Sequence, residues 1–228
     1  MYKNEFKKAF SISIPVMMGY LVLGFAFGLL LVSFNYDWYL APLMSIFIYA
    51  GALQFVAIGF FNAKLGLIDI AIASWFVNIR QSFYGLSLLK RFRNTGKYKN
   101  YLIFGLTDET YALLTTIKDE KDLSKKHFYF FLTALNQSYW IIGSTLGALI
   151  GSSITFNTKG LEFSLTALFV VLCIEQYKNL KIIYPFLIGI FASLSALFLV
   201  PKDKMLLASI IISTFLLLLF EKKIEHDK

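Results

Sequence analysis

Twenty residues from Ile70 to Leu89, IAIASWFVNIRQSFYGLSLL, are apolar enough to cross a bilayer and carry an arginine near their middle. At about 1.5 Å of rise per residue, Arg80 lies roughly 15 Å from either end of such a helix. That is close to the centre of a hydrocarbon layer about 30 Å thick. A charged side chain at this depth costs on the order of 3 kcal/mol, so it faces a bundle interior or a watery cavity and needs a partner. The search for that partner constrains every other reading of the chain.

The remainder of the sequence is equally apolar. Of 228 residues, 57% are hydrophobic and 16% charged, with a mean hydropathy of +0.65, whereas soluble domains carry about 25% charged residues. Uncharged or nearly uncharged runs recur at Ser11–Ser33, Trp38–Ala63, Ile70–Leu89, Asn100–Ile117, His127–Ser152, Leu161–Ile174, Ile182–Val200 and Met205–Phe220. The pattern predicts an all-α polytopic integral membrane protein of seven or eight transmembrane helices, forming a single transporter domain over residues 1–228. The basic start and apolar run from Ser11 to Ser33 resemble a signal peptide, but the run is longer than an h-region and reads as a retained first span. The net charge of +8 resides largely in short loops such as Lys90–Lys99 and Lys118–Lys126, where it sets orientation and implies no nucleic-acid partner. Its distribution slightly prefers seven spans, with segment 100–117 re-entrant. Cys173, the single cysteine, reads as a packing residue.

Two features suggest a weak internal repeat with broken helices. Gly24-x-x-x-Gly28 resembles Gly143-x-x-x-Gly147, and SIFIYAGALQF (45–55) aligns with ALFVVLCIEQY (167–177) so that Gln54 meets Gln176. Odd numbers of spans between the copies would make the repeat inverted, an arrangement that places a solute site at the membrane midplane.

Asp108 and Glu109 are the acidic candidates for Arg80. Adjacent residues on a helix point about 100° apart, so one carboxylate pairs with Arg80 while the other faces elsewhere. Such a pair either fixes helix packing or serves solute binding or proton coupling, and the cost of membrane-embedded charge favours function. Ser74, Asn78, Gln81 and Gly85 form a polar stripe on nearly the opposite side from Arg80. Either the helix breaks near Asn78, or Arg80 faces a partner helix while Asn78 and Gln81 face the pathway. Pro15, Gly19 and Tyr20 in the first run, and Gly51 and Gln54 in the second, can unwind a helix and free backbone groups at membrane depth; kinks or close packing are the plainer alternative. Gly143, Gly147 and Gly151 form a packing ridge. Asn136 and Gln137 are interhelical glue or pathway residues, and Glu162 and Glu175 read as interfacial. No HExxH, P-loop, GxSxG or CxxC signature is present, and no metal or cofactor motif, so the chain reads as a non-enzyme.

The stretches PVMMGYLVLGFAFG (15–28), IFIYAGALQFVAIG (46–59), NIRQSFYGLSLL (78–89), DETYALL (108–114) and LEFSLTALFV (161–170) resemble the AzlC-type permeases, large subunits of branched-chain amino acid exporters. The resemblance covers most of the chain in the right order. It implies a multi-pass protein of the bacterial plasma (inner) membrane with a small hydrophobic AzlD-type partner subunit. It also implies proton-motive export of leucine, isoleucine, valine and sometimes methionine. Two positions depart from the family pattern: Gln81 stands where histidine is frequent, which removes a proton role there, and Glu162 replaces an aspartate, which keeps the carboxylate. The alternatives are a carrier for another small solute and a non-transporting membrane scaffold.

Overall fold

The computed structural model describes residues 2–63, 65–116, 124–153, 182–201 and 205–226, together with residues 170, 173, 174 and 177. All regular structure among them is helical. In chain order the helices are α1 (Lys3–Ser33), α2 (Leu40–Phe47), α3 (Gly51–Asn62), α4 (Leu67–Phe92), α5 (Lys99–Phe104), α6 (Asp108–Thr116), α7 (Lys125–Ser153), α8 (Tyr184–Leu199) and α9 (Met205–His226), with a 3-10 turn at Gly96–Tyr98. Among the described residues, α1 is the one helix both long and apolar enough to cross a bilayer by length and composition; Gly51–Asn62, Tyr184–Leu199 and Ala208–Phe220 are shorter apolar helices.

The chain divides into two compact units, Met1–Ile58 with Asn78–Thr158, and Gly59–Val77 with Lys159–Lys228. In the second, α8 and α9 pack together. Glu162, Glu175 and Gln176, with most of the stretch 167–177 that aligns with 45–55, lie outside the described residues.

The first unit is built on α1 against α7. Glycine makes that contact possible. A Cβ on Gly24 would stand 3.0 Å from both the Ser144 nitrogen and the Trp140 carbonyl, and one on Gly143 would stand 2.8 Å from the Leu21 carbonyl. Gly28 faces Ser144 and Ala148 across the same seam, and Gly147 faces Phe25. The two Gly-x-x-x-Gly pairs therefore meet each other, letting backbones approach as membrane helices without a hydrophobic driving force require. At one end of the seam, Ser13 and Tyr139 hydroxyls lie 3.0 Å apart. The Glu5 carboxylate accepts the Ser124 N–H at 3.2 Å, and Tyr2 stacks on His127 with ring centroids 3.7 Å apart.

Two of the apolar runs are broken. Trp38–Ala63 divides into α2, eight residues, and α3, twelve residues. The chain turns between them through Tyr49, whose φ of 41° is in the left-handed region, a conformation that costs a non-glycine residue about 1–2 kcal/mol. Asn100–Ile117 divides into α5, six residues, and α6, nine residues, at Gly105-Leu106-Thr107. A Cβ at Gly105 would collide with the Thr133 methyl on α7, so the break is seated against that helix. At 1.5 Å per residue none of these four helices reaches the ~30 Å of a hydrocarbon layer. Of the alternatives left open at Pro15, Gly19 and Asn78, the unbroken helix is the one observed. α1 runs unbroken through Pro15 and Gly19, and α4 runs unbroken through Asn78 and Arg80. A proline removes one N–H from the ladder, and here the surrounding turns carry the helix past it.

Candidate functional site

One face of α4 meets α6. Arg80 Nη2 lies 2.8 Å from Asp108 Oδ2. One turn on, Tyr84 stacks on Tyr111 with centroids 4.3 Å apart, and Ser87 Oγ lies 3.0 Å from the Tyr111 hydroxyl. At the far end, Arg91 Nη1 donates to the Leu114 carbonyl and Nε donates to the Tyr129 hydroxyl at 2.8 Å. Residues 80, 84, 87 and 91 share one side of a helix by their i, i+4, i+7, i+11 spacing. Of the two carboxylates the sequence left open, Asp108 takes the ion pair. The side chains of Arg80 and Asp108 retain 44% and 40% of their exposure, so neither is sealed in a dry core.

Glu109 points elsewhere, as 100° of rotation requires. It meets α1, where the Tyr20 hydroxyl lies 2.6 Å from Glu109 Oε2 and 2.6 Å from Thr107 Oγ1. Thr107 caps α6: its Oγ1 accepts the Thr110 N–H at 3.4 Å, satisfying one orphan donor of the first turn. The Thr107 and Thr110 hydroxyls lie 3.0 Å apart, and Asn136 Nδ2 on α7 donates to Thr110 Oγ1 at 2.9 Å. One helical position on, Gln137 Nε2 donates to the Ile46 carbonyl of α2 at 3.2 Å, and Gln137 Oε1 accepts from the Tyr101 hydroxyl of α5 at 2.7 Å. Tyr49 packs near Phe104, with ring centroids 6.3 Å apart. Both helix breaks thus converge on one stretch of α7, facing Tyr20 of α1.

This convergence is polar and buried. Tyr20, Tyr49, Thr107, Thr110, Thr133, Asn136 and Gln137 are all buried. Asp108 Oδ1, Tyr49 OH, Thr133 Oγ1 and Asn136 Oδ1 are buried without a hydrogen-bond partner among the described residues, and each such atom costs about 1–3 kcal/mol. The breaks also expose backbone: in α3 and α6 the first N–H groups have no intrahelical acceptor, and the positive ends of two helix dipoles lie there.

The other residues singled out from the sequence divide into three groups. Gln54 is wholly buried and its amide is spent on packing: Oε1 accepts from the Trp140 indole at 2.8 Å and Nε2 donates to Ser45 Oγ at 3.2 Å, which in turn lies 2.8 Å from Ser144 Oγ. Gly51 belongs with it, since a Cβ there would stand 3.1 Å from the Trp140 ring. Asn78 and Gln81 are half-buried, and their side chains make no hydrogen bond among the described residues. Pro15 and Gly19 are exposed, and nothing lies within 4 Å of where a Gly19 Cβ would be. Pro15 and Gly19, expected with Gly51 and Gln54 in one site, lie on the outward face of α1, which presents Tyr20 to the cluster. Tyr49, Thr107, Thr110 and Tyr101 escaped the sequence reading. For two of them a signal existed, because Thr107-Asp108-Glu109-Thr110 has the hydroxyl-then-acid pattern of a helix start.

The AzlC protein family matches residues 15–154, which hold the whole α1–α7 unit apart from its ends. The chain is 44% identical to an uncharacterised membrane protein of Helicobacter pylori, over 98% of both chains. It is 36% identical to the branched-chain amino acid transport protein AzlC of Bacillus subtilis, over 96% of this chain and 87% of that one. It is 30% identical to the inner membrane protein YgaZ of Escherichia coli, over 73% and 71%. No solved structure matches. With a family match over most of its length and a relative of this similarity aligned almost end to end, the chain belongs to the AzlC family.

Proposed function

We propose that the chain is the large subunit of a proton-motive-driven exporter of branched-chain amino acids, a multi-pass transporter domain of seven or eight spans in the bacterial plasma membrane. A small AzlD-type membrane subunit completes it. The observation that carries this reading is the meeting of two helix breaks at one buried polar cluster between α1 and α7. Irregular backbone at membrane depth is tolerated where it lines a cavity, and paired half-helices of this kind hold charged solute groups in carriers. The relation to the Bacillus subtilis transport protein supports the substrate class.

The first N–H groups of α3 and α6 suit a carboxylate. Tyr49 OH and Asn136 Oδ1 offer oxygen acceptors to an ammonium. The buried rings of Tyr20, Phe27, Phe55 and Trp140, with centroids 5.4 to 6.5 Å apart, form an apolar core that ends at the Tyr20 hydroxyl of the cluster. Asn78 and Gln81 line the approach with uncommitted amides. Arg80 and Asp108 hold α6 in register, and Gln54 with Gly51 holds α3 against α7.

Counterflow of labelled leucine into vesicles containing the chain and its partner tests this. Exchange with leucine, isoleucine and valine is expected, with unlabelled methionine competing. Absence of exchange with either leucine or methionine would overturn the substrate class.

A further inference from the structure

Five groups from α1, α6 and α7 form one hydrogen-bonded run whose protons can be counted. Asn136 Nδ2 donates to Thr110 Oγ1, the Thr110 and Thr107 hydroxyls are in contact, and the Tyr20 hydroxyl lies 2.6 Å from both Thr107 Oγ1 and Glu109 Oε2. A phenol has one proton, so Tyr20 donates to Thr107 or to Glu109 and never to both. The two contacts therefore belong to two proton arrangements. With Glu109 ionised, Tyr20 donates to the carboxylate, the Asn136 amide to Thr110 and Thr110 to Thr107. With Glu109 protonated, the Thr110–Thr107 order reverses: Glu109 donates to Tyr20, Tyr20 to Thr107 and Thr107 to Thr110. The Thr110 hydroxyl then needs an acceptor, which an amide nitrogen cannot be. Asn136 Oδ1 is that acceptor. It is buried, it has no partner, and it belongs to the same amide, so rotation of that amide closes the reversed run.

The groups around Glu109 leave the proton to it. Arg80 of α4 is engaged by Asp108, Tyr111 of α6 is held at Ser87, and Tyr101 of α5 donates to Gln137. The facing positions of α7, Asn136 and Gln137, carry no charge, and Tyr49 at the α2–α3 break and Tyr84 of α4 contribute only neutral phenols. Among the described residues no cation lies within ion-pair reach of Glu109.

We infer that Glu109 carries the coupling proton of the transport cycle, and that Asn136 is the positioning residue whose amide turns to report the protonation of Glu109 to α7. The proton comes from water on one side, resides on Glu109 Oε2 while the run points away from it, and leaves to the other side. No covalent bond other than O–H forms or breaks. The inference rests on the carrier reading above, and its test includes an arm independent of any substrate.

The experiment is infrared difference spectroscopy between acid and neutral pH on the lipid-reconstituted chain with its partner. A protonated-carboxyl band is expected in the wild type, lost in Glu109→Gln, kept in Asp108→Asn and displaced in Glu109→Asp. An asparagine carbonyl change should accompany it and vanish in Asn136→Leu. In the same vesicles, proton movement driven by a leucine gradient should be lost in Glu109→Gln, with exchange persisting at a reduced rate, and be regained in Glu109→Asp. A carboxyl band or leucine-driven proton movement that survives Glu109→Gln overturns the assignment. An asparagine band that survives Asn136→Leu overturns the role of the amide. If the wild type moves no leucine, the substrate class fails and the infrared arm alone decides Glu109.

Discussion

The α1–α7 seam and the two helix breaks beside it are built on opposite terms. Along the seam, glycines bring backbones into contact and the hydroxyls of Ser13 and Tyr139, and of Ser45 and Ser144, are paired. At the breaks, a tyrosine in a left-handed conformation, unfinished helix ends and, among the described residues, the unpartnered Tyr49 OH, Thr133 Oγ1 and Asn136 Oδ1 are found. The first arrangement tolerates no added atoms, and the second is incomplete by itself. A carrier needs both: a rigid frame, and a site that is satisfied only when something is bound there or protonated there.

The largest effect expected is at the seam. Gly28→Leu would drive a side chain into the backbone of Ser144 and Ala148; overpacking costs about 1–3 kcal/mol and more where backbone must move. Loss of the monodisperse folded peak in detergent is expected, while Gly19→Ala, with open space around it, should leave the melting temperature within about 1–2 °C. Equal effects of the two would abolish the distinction between a tight and an open face of α1.

Next in size is Arg80→Ala, which leaves Asp108 as a charge without its partner. Loss of leucine counterflow is expected, and removing both groups in Arg80→Ala with Asp108→Ala should recover assembly relative to the single variant, because an unpaired charge is worse than none. Unchanged transport in Arg80→Ala would remove the α4–α6 clamp from the mechanism.

Gln54→Leu strands the Trp140 indole and Ser45, and should cost about 1–3 kcal/mol in thermal unfolding. This places Gln54 with the frame; a variant of full stability and altered substrate preference would place it with the site. The smallest effect belongs to Asn78→Ala. Its amide makes no hydrogen bond among the described residues, so stability should shift by less than about 0.5 kcal/mol, while the leucine concentration for half-maximal exchange rises.

The frame was legible in the sequence and the site only partly so. Gly24, Gly28, Gly143 and Gly147 announce close packing by spacing alone, and the charges at 80, 108 and 109 announce a partner search that geometry resolves in favour of Asp108. The breaks were harder to read. Hydropathy averages over them, because Tyr49 and Leu106 sit inside predominantly apolar runs, and Pro15 drew attention to a helix that stays whole. Local chemistry was the better guide: Thr107 followed by two acids is a helix start placed inside an apolar run. Nothing in the sequence indicates that Tyr49 adopts a positive φ, since tertiary packing around the α2–α3 turn imposes it. Gln54 shows the converse limit, a polar residue at membrane depth whose hydrogen bonds serve packing and could be assigned only once Trp140 was placed beside it.

The central claim is that the two breaks form the solute site. A single cysteine at Ala50 or at Thr107, in a Cys173→Ser background that retains counterflow, tests it through reaction with a small charged thiol reagent in vesicles. Reaction at both positions, slowed severalfold by leucine and not by glycine, is the predicted result. Cysteines that never react, or that react at the same rate with leucine present while exchange is intact, would contradict it.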